Sequence, residues 1–271
     1  MSRDQHTPDT TAYVERKRFF DRLLTLYGRK PVLEALQDAD IPVYRLHLAD
    51  SNRREGIINA ILALAQQRGV EILYHSRAEL SRISRNQRQD QGVAIDLRCP
   101  NYRDSRELID QHDPEQPFQL IALDRITNPQ NLGMIIRSVC ASPLTGLLLP
   151  SSGCAPLSPL VIKASAGTLL RCPIFRCTNL ADALPALAAV GADICVLAAD
   201  GTQLLGDYQP TGCVVYVLGN ETEGATPAVE RCATRRLRIP MANGVESLNV
   251  AVTAALIGFR GVLGRVESMR R

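Results

Sequence analysis

The sequence predicts an α/β protein with a mostly parallel sheet in its second half and a smaller α/β unit before it. Three observations carry that prediction. Nearly continuous apolar runs at residues 120–123, 146–149, 194–197 and 214–218 have the character of strands buried on both faces. Helical periods at 134–141, 160–170 and 181–190 lie between them, and a long helix is expected over 247–263. Alternating strand and helix requires crossovers, hence parallel pairing.

The first half follows the same logic on a smaller scale. Residues 1–12 are polar, and 13–26 place Arg16, Lys17, Arg18 and Arg22 among Phe19, Phe20, Leu23, Leu24 and Leu26, the pattern of a basic amphipathic helix. A short helix is expected over 28–36, with Pro31 in its first turn. Val43–Leu48 alternates as a strand, 56–68 reads as a helix closed by Gly69, and 70–74 reads as a second strand. A short helix over 77–83 and a third strand over 93–97 complete the unit. The expected organisation is an extension at 1–23, a domain at 24–98, a linker at 99–118 rich in Pro and charge, and a larger domain at 119–271.

Composition excludes several classes. Apolar content of 45% and charged content of 22% suit a water-soluble globular chain. The first eleven residues lack an apolar segment, and no run approaches the ~20 residues of a membrane span. The eight cysteines contain no C-x-x-C pair, so a zinc knuckle is not expected and the thiols read as small core residues in a reducing compartment. A cytoplasmic protein is expected. The net charge of +3 argues little, but 28 arginines stand against three lysines. Arginine suits phosphate and stacks on bases; a GC-rich coding sequence gives the same bias.

Three stretches carry the chemistry. In the first, a strand runs into Asp124, a turn holds Pro129, and a helix begins near Asn131 with Arg137 one to two turns further on. Its N-terminal N–H groups are suited to an anion. The second ends a strand in Gly219-Asn220-Glu221 and returns at Gly224. Ligands of open parallel sheets bind beyond such strand ends. The third is Ile239-Pro240-Met241, a turn at Gly244, then Ser247-Leu248-Asn249-Val250 entering the last helix, with Ser247 as its expected N-cap. No dinucleotide loop, P-loop or histidine cluster is present. A nicotinamide-type oxidoreductase and a Ser-His-Asp hydrolase are therefore poorly supported.

The order and spacing of these stretches resemble the signature motifs of the SpoU (TrmH-like) RNA 2′-O-ribose methyltransferases. The resemblance covers residues 120–264, and Lys163-Ala164-Ser165-Ala166-Gly167 matches a further family segment. It implies a deep C-terminal trefoil knot that cradles S-adenosylmethionine, with no metal, and a homodimer whose active site draws on both subunits. It implies cofactor contacts from Gly219, Asn220, Gly224, Ile239, Pro240, Met241, Leu248 and Val250. Asn131, Arg137, Glu221, Ser247 and Asn249 match catalytic and substrate-facing positions. The first unit resembles the ribosomal-protein-like RNA-binding domain of many members, through 27–36 and 90–94. The chain departs from the usual pattern at Asp90, Met134, Pro143 and Asn220. Asp90 is expected to weaken phosphate binding locally.

A large-subunit rRNA substrate is the expectation, because tRNA-specific relatives often lack the first domain. A tRNA 2′-O-methyltransferase, a resistance-type ribosomal methylase and a non-catalytic RNA-binding protein of the same fold are the alternatives. Arg82, Arg85 and Arg88 form a candidate phosphate patch with Arg29 and Lys30, and a solvated charged face is the competing reading.

Overall fold

The computed structural model describes residues 19–20, 22–84, 87–99 and 101–263. The chain divides into two compact units, the second beginning at Asn101.

The first unit holds a four-stranded sheet in the order β1-β4-β2-β3, from β1 (Leu23–Tyr27), β2 (Val43–Ala49), β3 (Glu71–His75) and β4 (Val93–Arg98). β4 runs antiparallel to β1 and β2, whereas β2 and β3 are parallel. Helices α1 (Arg29–Gln37), α2 (Ile57–Gln67) and α3 (Arg77–Ser84) connect them. Period-two alternation places Leu24, Leu26, Leu46, Ile95 and Leu97 on one face, and all are buried. α1 packs on β4 and against α2, burying Val32, Leu36, Ile58 and Ile61. The opposite face carries Thr25, Arg45, His47 and Asp96, and α3 closes one end of it over Tyr27, Ala49 and Ala94.

Residues 23–27 correct the expected helix: they form β1 against β4. Leucines at that spacing satisfy either period, and the unpaired edge of β4 decides for strand. Of the rest of that expected helix, Phe19 and Phe20 are helical and Arg22 lies in a turn, while 13–18 and 21 lie outside the described residues.

The second unit is built on an eight-stranded sheet ordered β10-β12-β9-β11-β6-β7-β8-β5, in which every strand pairing is parallel. Its central strands are β6 (Gln119–Leu123), β7 (Gly146–Pro150), β9 (Asp193–Leu197) and β11 (Val214–Leu218), joined by β8 (Ile174–Cys177), β10 (Gln203–Leu204) and β12 (Arg235–Arg238). β11 is buried along its whole length, as its apolar run requires.

The expected linker is corrected. It contributes β5 (Tyr102–Asp104), paired with β8 at the sheet edge, and α4 (Ser105–Asp110), capped by Asp104 through a 2.9 Å bond from the Arg106 N–H. An edge strand and a short capped helix use the same charged residues as a linker, so composition does not separate them.

On one side of the sheet α5 (Pro129–Ala141) packs against α6 (Pro159–Ala164) and α9 (Val250–Leu263). A Cβ on Gly133 would stand 2.4 Å from Ala164 Cβ, so α5 and α6 meet only because position 133 is glycine. Core residues from α7 (Leu180–Ala189) and α8 (Pro227–Glu230), including Leu184, Leu187 and Val229, join Leu120, Val196 and Val217 in one cluster.

Two helices differ from expectation. The helix expected over 160–170 breaks at Ala166 and Gly167, whose φ angles are 50° and 77°, and resumes as a 3-10 turn at Thr168–Leu170. The last helix begins at Val250, so Ser247 does not cap it. Asn249 does, accepting from the Ala251 N–H at 2.9 Å.

Candidate active site

The carboxyl ends of β9, β11 and β12 and the segment before α9 enclose a cleft of about 520 Å³. A parallel sheet puts all its strand-end loops at one edge, so residues distant in sequence meet there. Leu197–Ala199 line it from β9, Leu218–Thr222 and Gly224 from β11, Leu237–Ile239 and Met241 from β12, and Val245–Leu248, Val250 and Thr253 from the last segment.

The loop after β11 is a closed turn. Asn220 and Gly224 exchange backbone hydrogen bonds of 3.0 and 2.9 Å, and Asn220 Oδ1 accepts from the Thr222 N–H at 2.9 Å. Gly224 sits at φ 69°. A Cβ on Gly219 would lie 2.2 Å from Ala225 N and from Gly224 C, so glycine alone permits this return.

The loop after β6 locks it from outside. Asp124 Oδ2 accepts from the Thr226 N–H at 2.6 Å, Asn220 Nδ2 donates to the Arg125 carbonyl at 3.2 Å, and Arg125 ion-pairs with Glu223. Asn220, the departure from the usual family residue, thus serves both loops.

A directed chain of side-chain amides joins the three stretches. The Ala251 N–H occupies Asn249 Oδ1, which leaves Asn249 Nδ2 to donate to Asn131 Oδ1 at 3.2 Å. Asn131 Nδ2 then donates to Glu221 Oε1. Asn131 is buried on α5, whose N-cap is Asn128. Its carbonyl and amide ends are both spoken for, so the amide orientation is fixed.

Gly219, Asn220, Glu221, Gly224, Ile239, Met241, Ser247, Leu248 and Val250 all line the cleft, and Pro240 lies between two lining residues. Asn131 and Asn249 reach it through Glu221. Arg137 does not line it. It is exposed on α5 and has no hydrogen bond or ion pair among the described residues. Sequence reasoning missed Asp124, Arg125, Arg238, Glu246 and the β9 end. The β9 end was signalled by Gly201, where a Cβ would stand 2.5 Å from the Leu237 carbonyl carbon.

In the first unit, Lys30, Arg82 and Arg88 are exposed, and Arg85 lies outside the described residues. Arg29 is engaged, with Nη2 on Asn52 Oδ1 at 3.1 Å and Nε on the Gln91 carbonyl at 3.3 Å. Asp90 is fully buried and accepts from Ser84 Oγ at 3.0 Å and the Gly92 N–H at 2.9 Å. It caps a turn from within, which corrects the expectation that it faces phosphate.

A parallel α/β unit with a glycine-walled cleft at its strand ends, and an amide chain ending on a carboxylate beside it, is built to bind a ligand. Residues 119–259 match the SpoU rRNA Methylase family, and residues 25–103 match the RNA 2′-O ribose methyltransferase substrate-binding family. A Mycobacterium tuberculosis protein described as an uncharacterized tRNA/rRNA methyltransferase is 34% identical over 93% of this chain and 76% of its own length. A Mycobacterium leprae protein of the same description is 35% identical over 93% and 79%. Two crystal structures share the fold. An AdoMet-bound rRNA methyltransferase from Sinorhizobium meliloti has TM-score 0.59 and 24% identity, covering 94% of this chain and 91% of its own. AviRb, a SpoU methyltransferase from Streptomyces viridochromogenes solved with AdoMet, has TM-score 0.58 and 22% identity, covering 95% and 94%. The chain belongs to the SpoU rRNA methylase family, and is a methyltransferase of that class. No helix among the described residues is long and apolar enough to cross a membrane.

Proposed function

We propose that the protein transfers a methyl group from S-adenosylmethionine to a ribose 2′-hydroxyl of RNA, with large-subunit rRNA as substrate. The observation that carries this reading is the amide chain from Asn249 through Asn131 to Glu221, set on the rim of the glycine-walled cleft. The cleft fits the cofactor. Its volume lies within the ~300–1,000 Å³ of ligand pockets, and Gly219 and Gly224 keep side chains out of a wall that must offer backbone. When bound there, S-adenosylmethionine supplies an electrophilic methyl group on sulfur. The same reading includes the knot, with the C-terminal part of the chain threaded through a loop.

The chain's own groups handle the nucleophile. A guanidinium stays protonated at any ordinary pH, so Arg137 is no base. It holds the RNA phosphate by bidentate hydrogen bonds and stabilises the developing alkoxide, while the phosphate or a water takes the proton. Ser247 orients the hydroxyl from the cleft wall, and Glu221 is held in place by Asn131.

Arg137 stands outside its own chain's cleft, which supports a homodimer with composite sites. Met134 lies one turn before Arg137 on α5 and is 41% exposed; Leu160 on α6 and Val252 and Leu256 on α9, helices packed against α5, are exposed too.

The test is incubation with radiolabelled S-adenosylmethionine and unmodified rRNA or tRNA, followed by mapping of the label. Label at a ribose 2′-oxygen of rRNA is expected. Label in tRNA alone would keep the chemistry and move the substrate, and label on a base would overturn the reaction. Arg137→Ala is expected to lower turnover by ~10²–10³. Near-parental turnover would remove Arg137 from the mechanism.

A further inference from the structure

The first unit carries an exposed aromatic–arginine cluster that the cleft does not use. The chain has no Trp and only twelve Phe and Tyr residues, and three of them gather here. Phe19 meets Phe20 edge-to-face at 5.5 Å and Tyr44 at 5.0 Å. Phe19 and Phe20 are each 39% exposed. The Arg45 guanidinium lies 5.4 Å from the Phe20 ring and 5.1 Å from Tyr44, and Arg98 lies 5.1 Å from Tyr44.

The backbone builds this arrangement. The pairing of β2 with β4 shifts between Val43 and Arg45, so Tyr44 is the extra residue of a bulge, a device that re-aims a side chain. The Arg22 N–H bonds to the Phe19 carbonyl at 3.2 Å, turning both phenylalanines back just before β1.

Charge at the cluster points one way. Asp96, the carboxylate paired with Arg45, is buried and committed to Thr25, Arg45 and His47. The Arg98 guanidinium has no hydrogen-bond or ion-pair partner among the described residues. Phe19 and Phe20 keep part of their ring surface open to solvent, and the Arg45 and Arg98 guanidinium groups lie over the neighbouring Phe20 and Tyr44 rings. An unpaired nucleotide needs that combination, a π-face for its base and a cation for its phosphate.

We infer that Phe19, Phe20, Tyr44 and Arg98, with Arg45 behind them, form a stacking site for unpaired bases of the RNA substrate. The site is separate from the Lys30, Arg82 and Arg88 patch. The inference rests on the reading of RNA as substrate.

The test uses the full chain and two labelled RNA oligonucleotides of equal length, one unpaired and one a blunt duplex, titrated at several salt concentrations. Phe20→Ala and Tyr44→Ala are expected to weaken single-strand binding about ten- to a hundredfold, with the salt slope and duplex binding unchanged. Phe20→Leu keeps apolar bulk but loses the ring, so it should fall with Phe20→Ala while melting like the parent. Arg98→Ala should lower the single-strand salt slope by about 0.7. Parental single-strand affinity in the Phe20→Leu and Tyr44→Ala variants overturns the inference, as does an equal loss on both RNAs. Failure of the wider reading looks different: the parent itself then binds neither RNA and transfers no methyl group.

Discussion

Asn249→Asp tests the direction of the amide chain. The substitution keeps an acceptor for the Ala251 N–H and an acidic helix N-cap, which favours the helix dipole by ~0.3–1 kcal/mol. It removes the donor that faces Asn131 Oδ1 at 3.2 Å. Asn131 then has two choices. Unflipped, its carbonyl faces a carboxylate. Flipped, its carbonyl faces Glu221 instead. Either way two hydrogen bonds become one and two oxygens are left facing each other, at ~1–3 kcal/mol. After the dipole gain the net loss is about 1–2 kcal/mol, or roughly 2–8 °C in Tm for a unit of this size. Glu221→Gln supplies the missing piece. Its amide can donate to a flipped Asn131, whose own amide then donates to the new carboxylate at 249. The double variant should therefore recover most of the lost Tm, with a coupling energy of ~1.5–3 kcal/mol. Turnover should stay low, because the carboxylate at 221 is gone. Thermal melts of the four chains, with methyl-transfer rates on the same samples, decide it. Additivity within ~0.5 kcal/mol would refute the directed chain.

Two further outcomes follow from the same geometry. Gly219→Ala drives a methyl into backbone at Ala225 and Gly224, so it should cost about 1–3 kcal/mol and reduce S-adenosylhomocysteine affinity by calorimetry; parental affinity would show that the loop yields freely. Stability of the first unit should fall as pH drops below 6.5. Burial and then the neighbouring His47 hold His75 below its ordinary value, with Arg45 adding to them and Glu79 and Asp50 opposing. The unfolded chain takes that proton first, so the stabilisation is present above pH 6.5 and lost beneath it. Burial pushes the Asp96 carboxyl up, but hydrogen bonds from His47, Thr25 and Arg45 outweigh it and hold the group low. Its contribution is lost only at pH below the ordinary carboxylate range. Melts of the parent and His75→Gln between pH 8 and 5.5 should differ in slope, and parallel curves would exclude His75 as the source.

The parallel core was legible because β6, β7, β9 and β11 are buried on both faces and leave no alternative to a continuous apolar run. The edges were not. β5 has three residues and β10 two, and both are short strands at an open edge, β5 also charged. Their strand character comes from β8 and β12 beside them, and a linear pattern does not encode a neighbour. β1 failed for the related reason that Leu23–Tyr27 satisfies two periods and the partner β4 chooses.

The cleft was legible where chemistry demands a residue type. Gly219 must lack a Cβ and Gly224 must reach positive φ, and both show as glycine. Arg125 and Asp124 were hidden because Arg and Asp in a polar loop have many explanations, and their work depends on a loop nearly a hundred residues away. The cap of the last helix shows the limit most clearly. Ser247 and Asn249 are equally good caps by local chemistry. Asn249 caps the helix with its carbonyl oxygen and presents its amide to Asn131 from a separate arm; a serine hydroxyl would have to accept and donate through one short-reaching oxygen. The choice of cap is therefore made by the other end of the amide chain. The residue that starts the last helix is thereby joined through Asn131 to the Glu221 carboxylate.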